Sequence, residues 1–96
     1  MSRGAELFAA AATVINGERQ DQYGDPEDNF GNIAVRWTQY LKGRGIMFPA
    51  GPPLGAKDVA LMMVDFKLAR QCGSPKRDNL VDLVGYAGIL DDLEEG

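Results

Sequence analysis

Histidine is absent from this chain and cysteine occurs once. Without histidine, the commonest general base and the commonest zinc ligand are missing. No Ser–His–Asp or Cys–His catalytic set can form. The single Cys72 has no partner for an internal disulfide, and it reads as a reduced, unactivated thiol. No run of about 18 apolar residues occurs, so no membrane span is expected. The apolar stretch from Ala5 to Ile15 contains Glu6 and is followed by no small-residue cleavage pattern. It reads as a helix rather than a secretory leader, and the expected location is the cytoplasm, the host cell's if the protein is viral. A Walker loop, a G-x-G-x-x-G turn and a C-x-x-C pair are all lacking. Cations are in deficit, with 10 Lys and Arg against 14 Asp and Glu and a net charge of −4. That balance argues against a nucleic-acid duplex as partner. It leaves room for a small phosphorylated ligand, which needs only two or three placed cations.

What remains is the composition of one all-α domain over residues 1–96. A chain of this size buries about 60–65% of its unfolded surface, so its core is thin and oligomerisation would enlarge it. Helix 1 is expected from about Arg3 to Asn16, capped by Ser2, with Leu7, Ala10, Ala11 and Val14 at the spacing of a buried face. A polar connector, residues 18–24, precedes a sharp helix start: Asp25 as N-cap, Pro26 at the first position, Glu27 and Asp28 in the first turn. Helix 2 then runs to about Lys42 with the apolar stripe Phe30, Ile33, Ala34, Trp37 and Leu41. Residues 43–56 hold four glycines and three prolines and read as a loop long enough to act as a lid, tucked down by Met47, Phe48 and Leu54. Helix 3, about Lys57 to Cys72, is apolar nearly all round, which predicts the central and most buried helix. Helix 4 begins at Arg77 or Asp78, with Asp78 as a possible cap, and runs to Glu94. Its core face is expected at Leu80, Val81, Val84, Ala87 and Leu90, and the acidic tail from Asp91 to Gly96 is expected to fray. Gly85 and Gly88 lie mid-helix, each costing about 1 kcal/mol relative to Ala, which points to close packing or a ligand against the backbone. The architecture predicted is a compact four-helix bundle, oligomeric.

Three polar patches stand out. Lys67 and Arg70 share a side of helix 3 near its C-terminus. They are either snorkelling cations that suit the helix end or an anion clamp, with Arg70 as the fork and Lys67 as the point charge. Asp78, Asn79, Asp82 and Tyr86 run along helix 4 at helical spacing. The short turn between helices 3 and 4 makes them antiparallel neighbours, which brings the two patches together. The result is either a salt-bridge cluster or a site where carboxylates and cations share a ligand or a Mg2+ ion held by Asp78 and Asp82. The third patch is Arg19, Tyr23, Asp25 and Asn29. The Tyr-Gly-Asp-Pro run is explained by turn and cap chemistry, whereas Arg19 could pair a phosphate and Tyr23 could stack on a base.

Taken in order, Arg19…Tyr23-Gly24-Asp25-Pro26…Asn29-Phe30…Trp37, then Asp58-Val59-Ala60…Met62-Met63…Lys67-x-x-Arg70, then Asp78-Asn79-x-x-Asp82-x-x-Gly85-Tyr86 resembles a family of small all-α proteins from phages and prophages. The resemblance covers about residues 5–90 and implies a viral or prophage origin. More distantly, the last helix resembles the all-α nucleotide pyrophosphohydrolases of the MazG and dimeric dUTPase type. Those enzymes hold Mg2+ with a Glu-x-x-Glu pair on one helix and a Glu-x-x-Asp pair on a later one. Here the later pair is Asn79-x-x-Asp82, and the earlier pair has no counterpart in helix 1 or helix 2; Glu18-x-x-Asp21, the nearest match, lies in the connector. The resemblance implies a nucleotide-type ligand, while the missing carboxylates weigh against metal-assisted hydrolysis.

Three functions are compatible with these residues. The first is a homo-oligomeric phage protein that binds a nucleotide or cyclic nucleotide signal and sequesters it from host antiviral immunity, using Arg19, Tyr23, Lys67, Arg70 and Tyr86. The second is a Mg2+-dependent nucleotide pyrophosphohydrolase built on Asp25, Asp58, Asp78 and Asp82. The third is an inhibitor that binds another protein through its acidic surface.

Overall fold

A computed structural model describes residues 2–16, 25–51 and 53–95. They form four helices: α1 (Arg3–Asn16), α2 (Pro26–Gly43), α3 (Ala56–Gly73) and α4 (Arg77–Glu95), with no strand among the described residues. The ends of these helices follow from local chemistry. Ser2 Oγ accepts from the Ala5 N–H at 3.1 Å. Asp25, extended at φ −66°, ψ 125°, accepts the Glu27 N–H, and Pro26 follows it. Both are N-terminal caps of the expected kind. At the other end of α2, the Gly45 N–H bonds Lys42 O and the Ile46 N–H bonds Leu41 O. This paired pattern needs a left-handed residue just past the helix, and Gly45 supplies it at φ 89°. The α3 start is closed by Asp58, whose Oδ2 accepts the Gly55 N–H at 2.8 Å.

The packing centres on α4. It lies against α1 on one side and α3 on another, and α2 packs on α3. Phe30 of α2 also reaches Tyr86 of α4, ring centroids 6.1 Å apart. The buried core joins Phe30 and Ala34 of α2, Val59 and Ala60 of α3, and Tyr86 and Ile89 of α4. Ile33, Trp37, Leu54 and Met63 pack around it half-buried, so the α2 stripe read from sequence is the stripe that packs. The start of α3 meets the end of α4 through Lys57 and Glu94 at 3.9 Å, the antiparallel arrangement the short turn requires.

Five expectations are corrected. α3 is not the most buried helix: Leu61, Met62, Phe66 and Leu68 are 44–51% exposed. A helix apolar on every side needs neighbours on every side, and among the described helices α3 packs chiefly on α2 and α4. Along α4, the residues taken inside are Asn79, Gly85, Tyr86 and Ile89, while Leu80, Val81, Val84 and Leu90 are half-buried and Ala87 is exposed. Contact with several helices spreads burial around α4 and does not follow its apolar stripe. On α1, Ala11 is buried and Leu7 half-buried, but Ala10 is exposed, because among the described helices it is chiefly α4 that packs on α1. In the 43–56 loop, Leu54 and Phe48 tuck down, whereas Met47 is 91% exposed. Lastly, the acidic tail does not fray at Asp91: α4 continues to Glu95, with Leu90 and Leu93 against the core.

Candidate functional site

The turn from α3 to α4 is closed by a small polar network. Gln71 Oε1 accepts from the Lys76 N–H at 3.0 Å and from Asn79 Nδ2 at 3.3 Å, and Asn79 Nδ2 also donates to Ser74 O at 3.1 Å. Ser74 N–H returns to Arg70 O at 2.8 Å. Asn79 is buried, and both of its amide hydrogens are engaged by the chain. A buried amide left without partners would cost about 1–3 kcal/mol, so this arrangement fixes the turn. Gln71 carried no weight in the sequence reading. Its signal is its place one turn before Ser74-Pro75, where a side-chain acceptor can collect N–H groups from the next helix.

One turn inward, Lys67 Nζ lies 2.9 Å from Asp82 Oδ2, with the two side chains 15% and 22% exposed. Helical spacing and the antiparallel turn bring these residues together, as expected. Asp82 and Tyr86, four residues apart on α4, have further interactions with the chain. The Tyr86 ring meets Phe30, and Asn29, half-buried at the start of α2, precedes Phe30. The Lys67–Asp82 pair thus lies one turn along α4 from the point where the buried Tyr86 meets Phe30 of α2.

Arg70 stands beside this pair. Its guanidinium lies 5.4 Å from the centroid of the Phe66 ring, and Lys67 Nζ lies 5.4 Å from the same centroid. Both are cation–π distances. Among the described residues no carboxylate lies within 4 Å of Arg70. Asp78 is exposed and sits inside the first turn of α4, which begins at Arg77, and so it is not the cap. The Arg77 guanidinium donates to Arg3 O at 3.4 Å and ties the start of α4 to the start of α1.

The carboxylates proposed for metal chemistry are dispersed in their roles. Asp25 and Asp58 cap α2 and α3, Asp82 pairs with Lys67, and Asp78 faces solvent. Among the described residues no three Asp, Glu, Cys or His side chains gather as a metal site would require. Arg19 and Tyr23 lie outside the described residues. No helix among the described residues is long and apolar enough to cross a membrane.

The chain resembles two curated phage proteins. It is 36% identical over 89 residues to the Gene 55 protein of Mycobacterium phage L5, covering 92% of this chain and 52% of that protein. It is 35% identical over 90 residues to the Gene 55 protein of Mycobacterium phage D29, covering 93% of this chain and 54% of that protein. The chain thus spans about half the length of these relatives. No solved structure matches it. The family model described as a domain of unknown function, DUF6378, matches residues 6–94, and the chain belongs to that family.

Proposed function

We propose that this chain binds a phosphate-bearing nucleotide, linear or cyclic, where α2, α3 and α4 meet, and holds it without turning it over. In a phage protein such a site would withdraw a nucleotide signal from host antiviral immunity, in the host cytoplasm and as a homo-oligomer. The observation that carries the reading is Arg70. Its guanidinium is stacked near Phe66 with no carboxylate within 4 Å among the described residues, one turn from the Lys67–Asp82 pair. A guanidinium in that position keeps its fork of N–H donors for a phosphate. Phe30 and Tyr86, 7% and 9% exposed, belong to the core and present no open face for a base to stack on. Arg19 and Tyr23 are the further phosphate and base contacts proposed. A nucleotide as ligand class rests on the resemblance of the Asn79-x-x-Asp82 stretch, read from the sequence alone, to MazG-type enzymes. The capping roles of Asp25 and Asp58 favour retention over hydrolysis, because metal-assisted attack on a pyrophosphate needs several free carboxylates.

The test is incubation of the protein with a panel of linear and cyclic nucleotides plus Mg2+, followed by chromatography. Ligand retained by the protein and recovered intact on heating is the expected result. Pyrophosphate release would replace this reading with the MazG-like hydrolase. Neither retention nor turnover would leave the acidic protein-binding inhibitor. Arg70→Ala should weaken retention about 10- to 100-fold, the value of a charge-assisted phosphate contact, with an unchanged helical circular-dichroism signal.

A further inference from the structure

A single copy of this chain has too much surface. Its accessible area is 6666 Å2, whereas a compact monomer of 10.4 kDa exposes about 5,400 Å2. Its radius of gyration is 14.9 Å, against about 12.5 Å for a compact chain of 96 residues. The core is correspondingly small, and Val59 is the largest side chain among those with less than 2% of their surface exposed. The surplus of about 1,300 Å2 exceeds the roughly 800 Å2 that each partner contributes to a standard stable interface.

Much of the exposed apolar surface lies on α3. Met62, Phe66, Ala69 and Gly73 are all exposed, and their spacing of four, three and four residues places them along one side of the helix. Leu61 and Leu68, also exposed, lie on the adjoining stripe. The order of sizes along the seam is uneven: two large residues, then two small ones. If two such helices ran parallel, Phe66 would meet Phe66 and Gly73 would meet Gly73, which overpacks one layer and leaves a void in another. If they run antiparallel, Met62 faces Gly73 and Phe66 faces Ala69, so that every layer holds one large and one small side chain. The seam is complementary to its own reverse, as a two-fold symmetric contact requires.

We infer that α3 is the contact surface between two copies of this chain, packed antiparallel along Met62, Phe66, Ala69 and Gly73. This rests on the homo-oligomeric part of the proposed function and is independent of any ligand. Small residues at Ala69 and Gly73 let the helix axes approach to about 8–10 Å. Phe66 is then held between the partner's small residues on one side and the cations of Lys67 and Arg70 on its own chain, so the junction proposed for nucleotide binding abuts the dimer contact.

Sedimentation equilibrium of the full chain tests this directly. The mass should be that of a dimer or an even multiple of it. Phe66→Lys and Ala69→Lys, each at an exposed position, should keep the helical signal and raise the dissociation constant at least about 100-fold, because each adds a cation to a seam already flanked by Lys67 and Arg70. A wild-type monomer at tens of micromolar would overturn both this contact and the oligomer reading. A wild-type oligomer unaffected by either variant would overturn this contact alone. Orientation is read with cysteines in a Cys72→Ser background. Oxidised mixtures of Met62→Cys and Gly73→Cys chains should give a disulfide-linked pair, while each variant oxidised alone should not. Self-linking by either variant alone would show parallel helices and overturn the inference.

Discussion

α3 and α4 are neighbours of nearly equal length, yet their sequences and their surroundings are mismatched. On α3, four large hydrophobic side chains, Leu61, Met62, Phe66 and Leu68, are about half exposed. α4 carries Asp78, Asn79, Asp82, Asp91 and Asp92, and it is the helix that all three others touch. Burial follows position in the packing order and not the helix's own hydrophobicity. A central helix can keep polar groups inside if each finds a partner, as Asn79 does with Gln71 and Ser74. A helix that is apolar all round but covered on only part of its circumference has surface left over, which is the sign of a missing neighbour.

Mutations sharpen this contrast. Ile89→Ala, in the core face of α4, should destabilise the chain by about 2–5 kcal/mol, read from urea unfolding. Leu61→Ala on α3 should cost under about 1 kcal/mol when measured at high dilution, since half of that side chain is already in water. Equal losses at the two positions would erase the distinction drawn between the helices. Asn79→Ala should cost about 1–3 kcal/mol, because Gln71 Oε1 and Ser74 O each lose a donor at the turn that pairs α3 with α4. A change below 0.5 kcal/mol, on the scale of ordinary surface substitutions, would mean the network is incidental. A double-mutant cycle on Lys67→Met and Asp82→Asn should return a coupling of about 1–2 kcal/mol, above the range of fully exposed pairs, since both side chains are mostly covered. Coupling near zero would assign Lys67 to the ligand and not to Asp82. The smallest effect is expected away from both helices. Gly31→Ala in α2 adds a Cβ with nothing within 4 Å, and should stabilise by about 0.5–1 kcal/mol, visible as a small rise in Tm.

Much of the local structure was legible because it is written in short-range chemistry. Ser2, Asp25-Pro26 and the Gly43 to Gly45 stop mark helix ends within a few residues, and the α2 stripe has a single apolar face. That the cations of α3 meet the carboxylates of α4 was legible too, because a short turn and helical spacing leave little freedom. Of the four residues at this turn, however, only Lys67 and Asp82 pair, with Arg70 and Asp78 outside the contact. Gln71 was missed, since a glutamine near a helix end is ordinary and only the fold brings it to Asn79. Asp25 caps α2 as its sequence context predicts, whereas the capping role of Asp58, which accepts the Gly55 N–H at the start of α3, was not legible. The ranking of burial was misread for α3 and α4 for the same reason: hydrophobicity states what a helix would tolerate inside, and packing decides which helix is surrounded.

The amino-acid order by itself determined that this chain is helical, where its helices start and stop, and that α3 and α4 fold back on each other, because capping, periodicity and turn length act over a few residues. Only the tertiary structure decided that α4 is the hub, that Asn79 is closed off by Gln71 and Ser74, and that one side of α3 is left uncovered. Those outcomes depend on which faces meet across distant parts of the chain, and no local pattern carries that information.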